Sequence, residues 1–256
     1  VNQLRLPRLG ERMVGGHAGR NRDAVVGIDR LNIGGVEMGK TRAVAWGPER
    51  LEQHDGLIGY PFLFPRAVVA LGAGRISLGG ADPDGTPTPV KAQVMRDQTL
   101  LLGGVDGAAG RFVFDTGSQA CAISGAYYAR IQPSEAYRSA TKLIYRSADG
   151  STRTAAFRPA QMSFGDFVLD DPVVRIDQAD GRQGVFAGVD GLFGVNLLRP
   201  YAWVVDQAAG TLHAAGAAPA RVGYYGSGMQ LSAEAGGAAR VSAVADHGPA
   251  FEAGIR

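Results

Sequence analysis

Short runs of alternating apolar and polar residues, separated by turns rich in glycine or proline, cover most of the 256-residue chain. Alternation with a period of two is typical of β-strands that bury one face. The strands predicted in this way are RISLGG, VKAQVMR, GRFVFDTG, TAAFRPAQMSFGDFVL, AWVVDQ and TLHA, which begin at residues 75, 90, 110, 154, 202 and 211.

Helical periodicity is sparse along the chain. The best segments are 125–131 and 134–143, the second with Ser134 as N-cap, and a single helical turn is predicted at 196–199. The chain also contains 38 glycines, which suit tight turns between many strands. The predicted fold class is therefore all-β.

An internal repeat organises the sequence. The segment DGLIGYPFLFP, which begins at Asp55, returns as DGLFGVNLLRP from Asp190, with the aspartate, two glycines, two leucines and the final proline in register. Upstream, LNIGGVEM (31–38) matches MSFGDFVL (162–169), and each reads as a hairpin with glycine at its turn. Two copies with a long period indicate two homologous lobes rather than a repeat array.

Two breaks divide the chain. The segment ADPDGTPTP (81–89) contains three prolines, which exclude a regular helix or a central strand, and AAGAAPA (214–220) is a second break. The sequence therefore predicts a first lobe over 1–84, a second lobe over 85–217 and a short tail over 222–256.

Composition and charge exclude several function classes. The 45% hydrophobic and 20% charged residues are ordinary for a globular protein, and no apolar run is long enough to cross a bilayer. The net charge of +2 comes from scattered basic residues, which argues against nucleic-acid binding. Cys121 is the single cysteine, and the four histidines lack ligand spacing, so we expect neither a disulfide nor a metal site.

The segment FVFDTGS (112–118) carries the candidate chemistry. An apolar strand delivers Asp115 to a turn, where Gly117 lets another backbone approach closely and Phe112 and Phe114 exclude water. Two carboxylates held about 3 Å apart must share a proton, and such a pair can activate a water molecule and protonate a leaving amine. Thr116 is suited to fasten the two turns to each other by hydroxyl-to-backbone hydrogen bonds, and Ser118 to steady the ionised oxygen.

These residues resemble the aspartic peptidases of the pepsin and retropepsin class, in which each lobe supplies one Asp-Thr-Gly turn. FVFDTGS resembles the catalytic strand and turn, YRSADGSTRTAAF (145–157) sits where the flap hairpin is expected, and GLFGVNLL (191–198) resembles the hydrophobic-hydrophobic-glycine motif under the turn. The resemblance implies an all-β, two-lobed acid-protease fold and an endopeptidase that acts on a peptide or protein substrate without a cofactor.

The resemblance also implies site residues. The catalytic set is Asp115, Thr116, Gly117 and Ser118, and the flap residues Tyr145, Ser147, Asp149 and Gly150 are implied to bind substrate.

The first lobe departs from the family pattern because it has no Asp-Thr-Gly. It contains Asp23 and Asp29, but neither is followed by threonine and glycine. By register with the second copy, the absent turn precedes Val1, so residues 1–30 are expected to hold the first lobe's flap region, with Gly15, Gly16 and Gly19 near its tip.

Three explanations stay open for the departure. The partner aspartate lies upstream of Val1 in a single-chain bilobal enzyme, Asp115 pairs across a homodimer, or the protein is a catalytically silent, pepsin-shaped peptide-binding scaffold. The first is favoured, since a chain that already contains two lobes makes the homodimer harder to build. The chain begins with valine and has no secretory leader, and is expected to be a fragment or a processed product.

Two rival interpretations concern other residues. Asp55 and Asp190 are matched by the repeat and form an alternative dyad, but their Asp-Gly context favours aspartates that cap turns. Cys121 lies in an apolar stretch with no histidine nearby in sequence, so it is expected to be a core residue and not a nucleophile.

The tail over 226–256 reads as strand, turn, strand and a short helix that starts at a proline and ends at Gly254. It resembles the opening of a PDZ domain, with GMQL as the carboxylate-loop strand, although the segment is too short to form a complete peptide groove. A β-hairpin appendage is the alternative. Resemblance to bacterial peptidases that carry PDZ modules suggests an extracytoplasmic or periplasmic location.

Overall fold

The computed structural model describes residues 5–16, 19–46, 56–63, 65–80, 82–83, 85–95, 97–131, 141–147, 150–165, 167–170, 172–177, 186, 188–216, 229–233, 237–244 and 249–255. These residues form a mostly β fold with few helices, as the alternation predicts. The chain separates into two compact units, one built mainly from residues up to Leu57 and the other mainly from Ile58 onward.

The first unit consists of hairpins. β1 (Arg8–Gly16) pairs antiparallel with β2 (Gly19–Ile28), and β5 (Thr41–Ala45) pairs with the other side of β2. β3 (Leu31–Ile33) and β4 (Val36–Met38) form the hairpin that the repeat predicts. Its two turn glycines have φ of 57° and 84°, a region that L-residues rarely adopt, which explains the Gly-Gly pair.

The expected first-lobe flap region is a hairpin. Gly15, Gly16 and Gly19 lie next to its tip, with Gly16 opposite Gly19. Asp23 is buried within β2 and Asp29 is exposed just beyond it. That this hairpin covers a substrate stays a prediction.

Most strands follow Ile58. In chain order they are β6 (Arg66–Ala70), β7 (Arg75–Leu78), β8 (Thr88–Pro89), β9 (Ala92–Val94), β10 (Thr99–Val105), β11 (Ala108–Phe114), β12 (Cys121–Ser124), β13 (Thr141–Ser147), β14 (Gly150–Phe157), β15 (Gln161–Phe164), β16 (Phe167–Asp170), β17 (Val174–Asp177), β18 (Gly191–Phe193), β19 (Ala202–Asp206), β20 (Thr211–Ala215), β21 (Met229–Ala233) and β22 (Ala239–Val244). Three strands do not show the period-two alternation, because both of their faces are buried: β12, β17 and β18.

The larger sheet has the order β13-β14-β17-β12-β18-β11-β10-β15-β16, with β9 on β10. β18 lies between β11, to which it is parallel, and β12, to which it is antiparallel. The order places the end of β11, where Asp115 follows, beside the end of β18, although the two strands are far apart in sequence.

The smaller sheet has the order β7-β6-β19-β20-β8. At its centre, β6 and β19, which follow the prolines of the two repeat copies, pair antiparallel with Val68 opposite Val204. β8 is an edge strand, which agrees with the expectation that the prolines of 81–89 exclude a central strand.

Three helices have described bounds: α1 (Gly125–Ile131), α2 (Val195–Leu198) and α3 (Pro249–Glu252). The first two confirm the predicted segments at 125–131 and 196–199. The helix predicted over 134–143 is wrong at its end, because residues 141–143 begin β13, and its first residues lie outside the described part of the chain. Pairing with β14 outweighs the weak helix propensity there. Within the described ranges, no helix has both the length and the apolar character needed to span a membrane.

An aromatic core joins the two sheets of the second unit. Trp203 on β19 packs edge-on against Phe114 of β11 with ring centroids 5.1 Å apart, and its indole N–H donates to the carbonyl of Leu198 at 2.8 Å. Phe112 packs on Phe193 at 4.6 Å. Burial of each such ring contributes about 2–3 kcal/mol, so the strand that leads to Asp115 is firmly anchored.

Candidate active site

Asp115 follows the last residue of β11. Phe112 and Phe114 point into the core and are buried, whereas Asp115 is half-buried. The Asp115 amide donates to the carbonyl of Phe193 at 3.0 Å, which extends the parallel pairing of β11 and β18 by one residue. The backbone of Asp115 is therefore held by the sheet, while its carboxylate is left partly open to solvent.

The turn after Asp115 is closed by its own carboxylate. The Gly117 amide donates to Asp115 Oδ1 at 2.9 Å, an Asx turn, and the Ser118 amide approaches the Asp115 carbonyl at 3.4 Å. A Cβ atom on Gly117 would stand 3.2 Å from Oδ1, so glycine leaves room for the Asp115 carboxylate, and the approach of another backbone to Gly117 stays a prediction.

Residues 118 and 119 are fastened to α2. The Val195 amide donates to the Ser118 carbonyl at 2.7 Å, and the Asn196 amide donates to the Gln119 carbonyl at 3.1 Å. Gly194 lies so close that a Cβ atom there would be 2.5 Å from the Ala120 oxygen. The hydrophobic-hydrophobic-glycine motif thus packs against the Asp115 turn, and its glycine is required by space.

Asn196 and Cys121 tie the turn to the strand that follows it. Asn196 Oδ1 accepts from the Cys121 amide at 2.8 Å, and its Nδ2 donates to the Val173 carbonyl at 3.2 Å. The Cys121 thiol is fully buried and accepts from the Gly194 amide at 3.1 Å. Burial raises the pKa of Cys121 above its usual value, which agrees with a core residue and not a nucleophile.

Thr116 and Ser118 have different surroundings. Ser118 is buried and its hydroxyl donates to the Ala120 carbonyl at 2.8 Å, so in this structure it braces the turn. Thr116 is exposed, and no hydrogen bond to its hydroxyl is found in the described ranges. Its exposure leaves the hydroxyl available to a group from outside these residues.

The implied flap residues lie on two neighbouring strands. Tyr145 and Ser147 belong to β13, Gly150 begins β14, and the two strands are adjacent in the sheet, as a hairpin requires. Asp149 lies outside the described residues. The assignment of these residues to substrate binding stays a prediction.

The rival dyad finds no support at Asp190, and Asp55 lies outside the described residues. Asp190 Oδ1 pairs with Arg130 at 3.0 Å, and Oδ2 accepts from the Arg111 amide at 2.9 Å. Arg111 is four residues before Asp115, or about 13 Å along an extended strand. Asp190 therefore braces the start of the β11–β18 pairing through residues far from it in sequence, and not through the nearby turn backbone that its Asp-Gly context predicts.

Sequence reasoning missed Asn196, which fastens the Asp115 turn, and the contacts of Arg111 and Arg130 with Asp190 away from that turn. Asn196 carries a usable signal, because it is the one polar side chain in the apolar run GLFGVNLL. Buried polar side chains need partners, and the nearest are the amides and carbonyls freed at the Asp115 turn.

Comparison with known proteins adds a family match. Residues 101–197 match the family model described as aspartyl protease, which is less than half of the chain. No curated protein matches significantly. Among solved structures, a retropepsin-like aspartic protease from Rickettsia conorii is similar, with 15% identity and a TM-score of 0.39 over 50% of this chain and 90% of the other. The family match supports an aspartic protease family for residues 101–197, the segment that contains Asp115 and the motif packed against its turn.

Proposed function

We propose that the protein is an aspartic endopeptidase in which Asp115 is one of two carboxylates that activate a water molecule. The ionised carboxylate takes a proton from water as it attacks the peptide carbonyl, and the protonated partner donates its proton to the carbonyl oxygen. The first carboxylate then passes the proton it took from water to the leaving amine as the C–N bond breaks, and the partner takes a proton back from the hydroxyl of the intermediate, which restores the pair with one proton. Thr116 and Gly117 shape the turn, Ser118 braces it, and a hairpin over 145–157 covers an extended substrate.

One observation carries the proposal. Asp115 is half-exposed just after β11, a strand that ends with Phe112 and Phe114 buried, and its position is set by an Asx turn, by β18 and by the amides of α2. Fixing a carboxylate at a strand end while leaving it open is what acid-base catalysis requires, since the geometry must be preset before the reaction.

The exposure of two apolar residues in the first repeat copy supports the presence of a further strand that carries the second aspartate. Leu192 and Phe193 are fully buried, because β18 lies between β11 and β12. Their counterparts by repeat register, Leu57 and Ile58, are 61% and 56% exposed. Two adjacent exposed apolar residues favour a cover by another strand, and we propose that this strand leads to the second aspartate.

The smaller sheet supports two related lobes. The hairpins β6-β7 and β19-β20 lie side by side in this sheet, with β6 paired to β19, and each hairpin follows one copy of the repeat. The repeat copies are offset by 135 residues, from Asp55 to Asp190, so Val68 corresponds to Trp203 and Val69 to Val204. In the β6-β19 ladder Val68 pairs with Val204 and Val69 with Trp203, so the two pairs exchange under the repeat. Such an exchange is expected from a local two-fold axis between the two hairpins.

Asp115→Asn tests the proposed activity. The amide keeps the shape and can still accept from the Gly117 amide, but it cannot share a proton, so cleavage of fluorescein-labelled casein should fall at least about a thousandfold. An unchanged melting temperature shows that the fold is kept. Asp190→Asn is the matched control and should cleave at the wild-type rate. Undiminished cleavage by Asp115→Asn overturns the assignment.

Two further measurements distinguish the forms that the protein takes. A single-chain enzyme has a specific activity that does not depend on protein concentration, whereas a homodimer loses activity on dilution. A peptide-binding scaffold binds a statine-containing peptide without cleaving any substrate. We favour the single-chain form, with the second aspartate upstream of Val1.

We also propose that residues 229–255 begin a PDZ-like module. β21 and β22 pair antiparallel and α3 follows, in the order that the sequence predicts. The α3 segment ends at Gly254, whose φ of 87° suits a helix stop. A location outside the cytoplasm and a bacterial source stay predictions.

A further inference from the structure

A cationic groove lies on the larger sheet, away from the Asp115 turn. Its volume is about 620 Å³, and the side chains that line it include Lys91, Arg111, Arg130, Leu102 and Asp190. Arg111 lies on β11 and Asp115 follows the strand four residues later, where the pairing with β18 continues, so the two side chains point to the same side, about 13 Å apart.

The groove carries an excess of positive charge. Among the described residues that line it, three are cationic and Asp190 is the single carboxylate, paired with Arg130 at 3.0 Å. Lys91 is exposed and has no ion pair within the described ranges, while its backbone carbonyl is fixed by the Leu102 amide at 3.0 Å. Two positive charges are therefore left over in one concave surface.

The two arginines are held in place. Arg111 donates to the Gly188 carbonyl at 2.7 Å, and Arg130 lies over the Tyr127 ring at 4.6 Å while it pairs with Asp190. A guanidinium has five N–H donors, so each retains donors for a ligand. A guanidinium that is already oriented loses less freedom when it binds a carboxylate.

Small and apolar residues line the rest of the groove. They include Gly103, Gly110 and Gly165, and Leu102 beside Gly103 is 38% exposed. The groove thus combines an exposed apolar side chain with oriented cations on neighbouring segments, which fits an extended peptide better than a compact ion.

We propose that this groove binds an acidic segment of the protein substrate, with glutamate or aspartate side chains facing Lys91 and Arg111. The inference rests on the proposed peptidase function for the identity of the ligand. Four extended residues span the separation between Arg111 and Asp115, so one polypeptide can occupy both sites.

Binding of a short fluorescein-labelled peptide that alternates glutamate and leucine tests the groove by fluorescence anisotropy at physiological ionic strength. The comparison peptide has glutamine in place of every glutamate. The wild-type chain should bind the acidic peptide about tenfold more tightly, and Lys91→Gln/Arg111→Gln should remove that preference. Arg130 is kept because its ion pair and ring contact brace α1.

Lys40→Gln/Arg75→Gln is the matched control. It removes the same charge from two exposed positions that do not line the groove and have no ion pair within the described ranges, and should change affinity less than about twofold because salt screens charges that make no direct contact with the peptide. Equal melting temperatures exclude misfolding.

The outcomes separate the groove from the peptidase. Binding that is lost only in the groove variant supports the groove even if no substrate is cleaved. No preference for the acidic peptide, or an equal loss in the control, overturns it while cleavage still stands. Equal affinity for a single-stranded oligonucleotide also overturns it, because the groove then recognises polyanions in general.

Discussion

Gly194→Ala probes the contact that presses the glycine motif against the Asp115 turn. Gly194 has φ of −94° and ψ of 179°, which alanine adopts without strain, so the cost is purely steric. The new methyl group would stand 2.5 Å from the Ala120 oxygen and 2.8 Å from the Ser118 oxygen. Real Cβ contacts are essentially never below 3.0 Å, so the turn must move by at least 0.5 Å.

The expected loss of stability follows from that displacement. Inserting a carbon into a packed site costs about 1–3 kcal/mol. For a chain of this size each kcal/mol lowers the melting temperature by about 2–4 °C, so Gly194→Ala should melt about 2–12 °C below the wild type. Because the moved segment carries Asp115, casein cleavage should also fall, by about tenfold or more.

Differential scanning calorimetry measures the first effect and the casein assay the second. Gly39→Ala is the control, since nothing lies within 4 Å of a Cβ atom there and its φ is not in the left-handed region. It should melt within about 2 °C of the wild type. If Gly194→Ala has the same melting temperature as Gly39→Ala and the wild type, α2 does not press on the turn and the account of the site is wrong.

Three other changes test neighbouring contacts. Asn196→Ala removes the bonds to the Cys121 amide and the Val173 carbonyl and should cost about 2–3 kcal/mol in urea unfolding; Asn196→Asp keeps the acceptor but sets a carboxylate oxygen against the Val173 carbonyl, so it should also be less stable than the wild type, and equal stability of all three proteins would contradict the bridge. Because burial raises the pKa of Cys121, the thiol stays protonated at mildly alkaline pH, and a disulfide reagent should label it only after unfolding; rapid labelling of the native protein would contradict this. Asp190→Asn loses only its partly exposed pair with Arg130 and should cost less than about 1 kcal/mol while cleavage continues; loss of cleavage in a folded protein would restore the rival dyad.

Local sequence specified the elements whose signal lies within a few neighbouring residues. The hairpin at 31–38 follows from its Gly-Gly turn, the end of β11 from FVFDTGS, and α1 from its helical period. The repeat also matched LNIGGVEM to a second hairpin, β15-β16, in which Gly165 has φ of 56°. Turn chemistry and side-chain period act over such short distances, so they can be read directly from the chain.

The sequence by itself determined the strand and turn that present Asp115, together with the apolar motif that supports them. Only the tertiary structure decided that Asn196 bridges two strands, that the Asp190 carboxylate accepts from the Arg111 amide, and that Lys91 and Arg111 line one groove. The reason is physical: these contacts join residues up to 79 positions apart along the chain, and the sheet order that brings them together depends on packing of buried strands such as β18, whose residues carry no alternation to read.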